Sequence, residues 1–146
     1  MREILFRGKR CDNLDWVEGY LLKECNYETC SWNLGIEYKT DRFGRFAYEV
    51  AEVVPYTVGQ FTGLTDKNGK KIFERDIIRY TEGEEKPMGV IKHGIYRDYH
   101  VGFFIEWGES QPCLRRDIAF WATEREIEVI GNIHDNPELL GGENDG

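Results

Sequence analysis

The stretch Gly59-Gln60-Phe61-Thr62-Gly63-Leu64-Thr65-Asp66-Lys67-Asn68-Gly69-Lys70-Lys71-Ile72-Phe73-Glu74-Arg75-Asp76-Ile77-Ile78 decides the fold. Two apolar, strand-like pieces flank Asp66-Lys67-Asn68-Gly69, a hairpin connection in which Gly69 is free to take positive φ at little steric cost. A second turn at Glu74-Arg75-Asp76 launches another strand through Ile77, Ile78 and Tyr80. The stretch specifies structure closely and carries no catalytic constellation.

Its polar residues fail the chemistries they first suggest. A calcium loop of the EF-hand type alternates acidic or amide ligands, with Gly at the sixth position and Glu at the twelfth. Counting from Asp66, Gly69 arrives at the fourth position, so the segment is a turn. Gly59 and Gly63 have no strand-loop-helix context and no following Lys-Ser or Lys-Thr, which a phosphate cradle requires. Lys67, Lys70 and Lys71 lie near Phe61 and Phe73, the pairing that a single-strand-binding groove uses for stacking and charge. A solvated hairpin tip accounts for them more simply.

Outward from this centre the chain alternates short strands and turns. Ile4 to Arg7 and Trp16 to Leu22 are expected strands around a turn at Cys11-Asp12-Asn13, because Asp and Asn side chains bond nearby backbone groups. In the second, Trp16, Glu18, Tyr20 and Leu22 share one face and Val17, Gly19 and Leu21 the other. Neither face is cleanly polar, which predicts cover on both sides for part of its length. Residues 23–45 are the least legible; Trp32 to Ile36 suits a short strand, and Thr40 to Gly44 a loop. Phe46 to Val54 is a strand stopped by Pro55, which cannot donate to a ladder.

Beyond Tyr80, Thr81-Glu82-Gly83-Glu84-Glu85-Lys86-Pro87 reads as an acidic exposed loop. Gly89 to Lys92 and Tyr99 to Trp107 are strands with a turn expected around His93-Gly94. Residues 117–122 are ambiguous between helix and strand. Alternation resumes at 127–132, and the end is a helix start: Asp135 or Asn136 as cap, Pro137 at the first helical position, and Glu138 complementing the dipole. That helix lasts about one turn before Gly141-Gly142.

About nine short strands with turns every eight to twelve residues predict a mainly β fold. The expected architecture is a small, partly open, SH3-like β-barrel with additional N-terminal strands and a short C-terminal helix. A single domain, 1–146, is expected, with sub-lobes 1–58 and 59–140 and a frayed tail, 141–146. The aromatic content of 14% supports β structure, since aromatic side chains fit pleated, half-buried surfaces.

The formal charge is −8, with 8 basic against 10 acidic residues in 1–60 and 11 against 17 in 61–146. Nucleic-acid binders gain most of their affinity by neutralising phosphates, so this balance argues against non-specific binding of DNA or RNA. No signal-like or membrane-length apolar run occurs, and a cytoplasmic protein is expected. Cys11, Cys25, Cys30 and Cys113 are irregularly spaced. A zinc site helped by His93, His100 or His134 would need close ligand pairs, and Cys25-x₄-Cys30 has no matching second pair. Free thiols are the expectation in a reducing compartment. His134-Asp135-Asn136 resembles a fragment of an acid–base site, but helix capping explains its Asp and Asn. No catalytic, cofactor-binding or metal-ligating residue is assigned, and no cofactor is expected.

Three blocks resemble the YopX proteins of phages and prophages. They are Arg2 to Arg7 with Trp16-Val17-Glu18-Gly19; Gly59 to Ile77; and Glu128-Val129-Ile130-Gly131-Asn132-Ile133-His134-Asp135-Asn136-Pro137-Glu138-Leu139-Leu140. The resemblance implies a mainly β protein of bacterial or phage origin that self-associates, and it supplies no activity or catalytic residues. The family pattern reads Glu-Gly-Asp-Ile where this chain has Glu74-Arg75-Asp76-Ile77. Gly would allow positive φ there, so Arg75 either sits in ordinary backbone space or accepts strain on the order of 1 kcal/mol. The function expected is that of a non-enzymatic accessory protein acting through protein contacts, a homo-oligomer with a host or phage protein as partner. Two alternatives stand beside it. One is a single-stranded nucleic-acid binder with a groove of Lys67, Lys70, Lys71 and Lys92; the other is an acidic inhibitor of a host DNA-binding protein.

Overall fold

The computed structural model describes residues 4–29, 31–40, 47–82, 86–96, 100–108, 117–118 and 126–141. Its strands, in chain order, are β1 (Phe6–Lys9), β2 (Trp16–Asn26), β3 (Ser31–Thr40), β4 (Ala47–Glu52), β5 (Gly59–Thr65), β6 (Lys71–Phe73), β7 (Asp76–Tyr80), β8 (Met88–Tyr96), β9 (His100–Trp107) and β10 (Ile127–Asn132). A 3₁₀ turn, Pro55–Thr57, precedes β5, and the one-turn helix α1 (Glu138–Gly141) follows β10. The strands form two sheets, ordered β4-β3-β2-β1-β5-β6 and β10-β7-β8-β9. Among the described residues neither sheet closes into a barrel. The chain divides into two compact units, Met1–Phe61 and Thr62–Gly146.

In the first unit, β2 and β3 pair from Tyr20↔Glu37 to Asn26↔Ser31, and β3 pairs with β4 from Gly35↔Glu52 to Thr40↔Ala47. The five-residue strand expected at Trp32 to Ile36 is therefore a ten-residue one. Its alternation is plain once paired: Leu34, Ile36 and Tyr38 turn inward, and Glu37 and Lys39 outward. Val17, Ile36, Ala51 and Val53 form the buried cluster, with Phe6, Leu21, Leu34, Tyr38 and Val58 packed against it. Burying a side chain such as Ile36 stabilises by roughly 2–3 kcal/mol. Pro55 ends the β4 region as expected, and the turn it opens closes back on β1. There the Thr57 hydroxyl accepts from Lys9 N at 2.9 Å and donates to Val54 O at 2.6 Å. The loop expected over Thr40 to Gly44 falls mostly outside the described residues.

The second unit is built on Ile72, Ile78, Ile91, Ile105, Trp107, Ile118 and Ile127, with Leu64, Tyr80, Phe103 and Val129 around them. Gly89 lies opposite Trp107. A Cβ there would meet Ile105 Cγ2 at 2.6 Å and the indole at 3.1 Å, so the missing side chain makes room for the large neighbour. One expectation needs correction: His93-Gly94 is not a turn. Strand β8 runs on to Tyr96, and Gly94 pairs with Gly102 across the ladder. Both glycines hold positive φ, at +154° and +148°, so they are paired irregularities inside a hairpin. Of the ambiguous segment 117–122, Asp117 bridges to Phe104 and Ile118 joins the core; the rest lies outside the described residues, as does most of the tail 141–146.

Arg79 and Glu128 face each other across β7 and β10, and both Nε and Nη2 of Arg79 donate to Glu128 Oε1. Hydrogen bonding from Arg79 is the main reason the Glu128 carboxyl is held below its usual range, with partial opposition from desolvation. A group whose pKa is lower folded than unfolded stabilises above the unfolded value, and that contribution is lost as pH falls through the folded value. Because the pair is partly solvated, Glu128→Gln is expected to cost about 0.5 kcal/mol at neutral pH. In urea titrations across pH the difference between variant and parent should shrink to nothing in acid, below the ordinary carboxylate range. A difference independent of pH would contradict this assignment.

Candidate functional site

The opening hairpin is an architectural hub. Asp66 is buried; its Oδ1 accepts from Asn68 N at 2.8 Å and Lys70 N at 2.9 Å, and its Oδ2 accepts from Val129 N at 2.8 Å. Lys67 N donates to Ile127 O at 3.0 Å, and Gly69 takes φ +82°. Every carboxylate oxygen of the motif thus serves backbone. Lys67, Lys70 and Lys71 are exposed around this tip, whereas Lys92 lies on β8 among different neighbours. The aromatic rings needed for stacking are not on offer, because Phe61 and Phe73 are buried.

The histidine motif near the end is also structural, and Asn132 organises it. The buried Asn132 Oδ1 accepts from His134 N at 3.0 Å and Asp135 N at 2.9 Å, while Asn132 Nδ2 donates to Asp135 Oδ2 at 3.2 Å. Asn136 Oδ1 reaches back to accept from Asn132 N at 3.2 Å. The side-chain amide expected to cap α1 is therefore engaged with β10. Gly131 is required beside it, since a Cβ would lie 2.4 Å from Asn136 Oδ1. Of the cysteines, Cys11 and Cys25 are free thiols, and Cys30 and Cys113 lie outside the described residues. Among the described residues no three His, Cys, Asp or Glu side chains gather as a metal ion requires.

The turn at Glu74-Arg75-Asp76 shapes a cavity. Arg75 adopts φ +72°, resolving the sequence alternative in favour of strain, of about 1 kcal/mol. The backbone is held there from two sides: Arg75 N donates to Ile91 O at 2.7 Å, and Arg75 O accepts from Ile133 N at 3.1 Å. Buried Asp76 closes the turn by accepting from Phe73 N at 2.8 Å. Glu74, Arg75, Val90, Ile91, Lys92, His93 and Ile133 line a cavity of about 250 Å³. Arg75 Nη1 stands 3.7 Å from Glu74 Oε2, and His93 packs edge-on to Phe103 with ring centres 4.7 Å apart. No local motif announces this grouping; only the ladder brings residues 75, 92 and 133 together.

In the first unit a cation–aromatic cluster occupies β1 and β2. Arg7 Cζ lies 4.6 Å and Lys9 Nζ 5.4 Å from the centre of the Trp16 ring. The Trp16 face of β2 thus gets partial cover from cationic groups set over the indole. Farther along, Tyr20, Tyr48 and Val50 are exposed at 60%, 63% and 46%. They share the outer face, since Tyr20 pairs with Glu37, which pairs with Val50. Arg10 sits on the inner side, donating to both carboxylate oxygens of Asp12 and to the Tyr38 hydroxyl, which donates in turn to Glu49 Oε2 at 2.8 Å.

In the second unit, β7 pairs with β8 only over Met88 to Val90, while the β8–β9 ladder continues to Tyr96↔His100. Residues 93–96 and 100–103 therefore form a two-stranded ribbon. Near its end Ile95 and Val101 lie opposite each other, 69% and 74% exposed.

Among the described residues, antiparallel strands in sheets of six and four, with a short helix following β10, define a mainly β protein. Residues 5–141 match the YopX protein family, and the chain belongs to it. It is similar to protein EF1440 from Enterococcus faecalis, known from a crystal structure, at 26% identity and a TM-score of 0.56, with 96% of this chain and 99% of that chain covered. No curated protein matches it. Among the described residues no helix is long and apolar enough to cross a membrane.

Proposed function

We propose that this chain is a non-enzymatic phage or prophage accessory protein, working in the bacterial cytoplasm through protein contacts and assembling with copies of itself. The observation that carries this reading is the ribbon of β8 and β9. Its cross-strand pair Ile95 and Val101 presents apolar side chains at 69% and 74% exposure, on an element that stands free of β7. Isolated two-stranded hairpins are marginal in water, and a second copy against the tip would cover the apolar pair. The aromatic outer face at Tyr20, Tyr48 and Val50 supports the same reading, as a further surface for protein contact. For the fold, the succession of hairpin, β7, β8 and β9 supports a partly open SH3-like arrangement of the second unit.

Light scattering coupled to size exclusion tests the assembly. The parent chain should run as a multiple of its 17.1 kDa mass, and Ile95→Lys with Val101→Lys should shift it toward monomer without changing its circular dichroism. A parent that stays monomeric at all concentrations would remove self-assembly from the proposal.

The second reading, a single-stranded nucleic-acid binder, is favoured by one feature: the pairing of Arg7 and Lys9 with Trp16, a combination suited to base stacking beside phosphate. Fluorescence anisotropy with labelled oligonucleotides at low salt separates the two, since the interaction module gives no signal there. The net charge of −8 supports the inverse idea, an acidic inhibitor of a host DNA-binding protein, and purified candidates of that class are its test.

A further inference from the structure

We propose that the cavity between Arg75, Lys92 and His93 is a binding site for a small organic anion: a phosphate monoester or a carboxylate carried on a compact apolar body. Its composition points to that chemistry. Two fixed cations, Arg75 and Lys92, stand against a single carboxylate, Glu74, which leaves a formal local charge of +1 in a chain of −8. His93 adds an imidazole whose ring is set by its edge-on contact with Phe103 at 4.7 Å. Val90, Ile91 and Ile133 supply the apolar wall. A concave site that joins an apolar wall to a few polar groups is the usual form of a small-molecule pocket. Its volume of about 250 Å³ lies just under the common range for drug-sized ligands, so the ligand must be compact.

The placement of Arg75 is the second argument. A left-handed backbone at a bulky residue is an unfavourable arrangement, retained where the surroundings over-determine it and concentrated at ligand sites. Here the over-determination is visible: the peptide groups of Arg75 are bonded to Ile91 O and Ile133 N, at 2.7 and 3.1 Å. These bonds anchor the base of the guanidinium side chain to β8 and to the turn that follows β10, which lowers the entropy lost when it grips an anion. Arginine also offers a planar fork of donors matched to carboxylate and phosphate oxygens. Glycine would satisfy the backbone at this point more easily, and it would leave the cavity with Lys92 as its sole fixed cation.

Nuclear magnetic resonance titration of the full chain at low ionic strength, with phenyl phosphate in one arm and benzoate in the other, tests the site. The expected result is saturable shifts at the amides of residues 75, 91–93 and 133 in at least one arm, and the tighter arm identifies the anion. Arg75→Gly is the informative variant because glycine accepts φ +72° and should keep the fold. It should weaken binding by about tenfold or more, the loss of one charge-assisted hydrogen bond. Lys92→Gln, on an exposed strand position, should weaken it as well. The proposal is overturned by non-saturable shifts in both arms at millimolar ligand, by unchanged affinity in Arg75→Gly, or by shifts that track the exposed lysines 67, 70 and 71 instead.

Discussion

Asp66→Ala is expected to destabilise the second unit by roughly 3 kcal/mol or more. Three backbone N–H groups lose their acceptor at once, those of Asn68, Lys70 and Val129, and each costs about 1–3 kcal/mol when left unsatisfied in a buried place. Partial access of water at the hairpin tip places the total toward the lower end of the sum. Asp66→Asn separates the contributions. The amide oxygen can replace Oδ1 toward Asn68 and Lys70, but its NH₂ group would then face the Val129 N–H donor to donor. That variant should lose about 1–2 kcal/mol, between parent and alanine. Urea denaturation followed by near-ultraviolet circular dichroism measures both. A loss below about 1 kcal/mol for Asp66→Ala would show that the carboxylate is not the hub of the turn.

The second large effect belongs to the first unit. Gly19→Ala would place a methyl group 2.0 Å from Glu37 O, 2.9 Å from Glu37 C and 3.1 Å from Ile36 Cγ2. The nearest atoms are backbone, so no rotamer change relieves the overlap, and β3 must move away from β2. Overpacking costs about 1–3 kcal/mol where side chains can yield and more where they cannot; a loss of at least 3 kcal/mol is expected here. Hydrogen exchange should show faster exchange at the amides of β2 and β3. Gly69→Ala is the contrasting control: nothing lies within 4 Å of its added Cβ, and only its positive φ is penalised, by about 1 kcal/mol. Equal effects at the two glycines would refute the steric account.

What could be read in the sequence was what local chemistry encodes. Asp66 and Gly69 announce their turn because the Asx acceptor and the left-handed glycine act within four residues. Pro55 ends a strand for a reason contained in its own ring. Asn132 organises the terminal turn at the spacing to His134 and Asp135 of an Asx turn, a local signal that the more conspicuous histidine masks. Gly94 misled in the opposite direction. A glycine beside a histidine looks like a turn until Gly102 is placed across from it, and that pairing depends on another strand. Strand β3 was obscured by Asn33 and Gly35, which fill intervening positions of the alternation that Leu34, Ile36 and Tyr38 carry but are poor strand formers. For Arg75 the sequence posed the right question without deciding it, because φ there is imposed by hydrogen bonds to Ile91 and Ile133. The cavity itself could not be read at all, since its cations meet only through strand pairing.

The bond from Val129 N to Asp66 Oδ2 spans 63 residues, and this has a consequence for synthesis. As the chain leaves the ribosome, the Asp66 hairpin emerges well before β10, and its third hydrogen-bond donor does not yet exist. The strand β7 waits in the same way for its β10 neighbour, so one side of its ladder stays open during translation. Pairings between distant segments form late because the loop between them must close first. The second unit therefore completes its fold only after residue 129 has been made, and nascent chains stalled before that point should remain open to proteolysis even though the hairpin itself is already encoded.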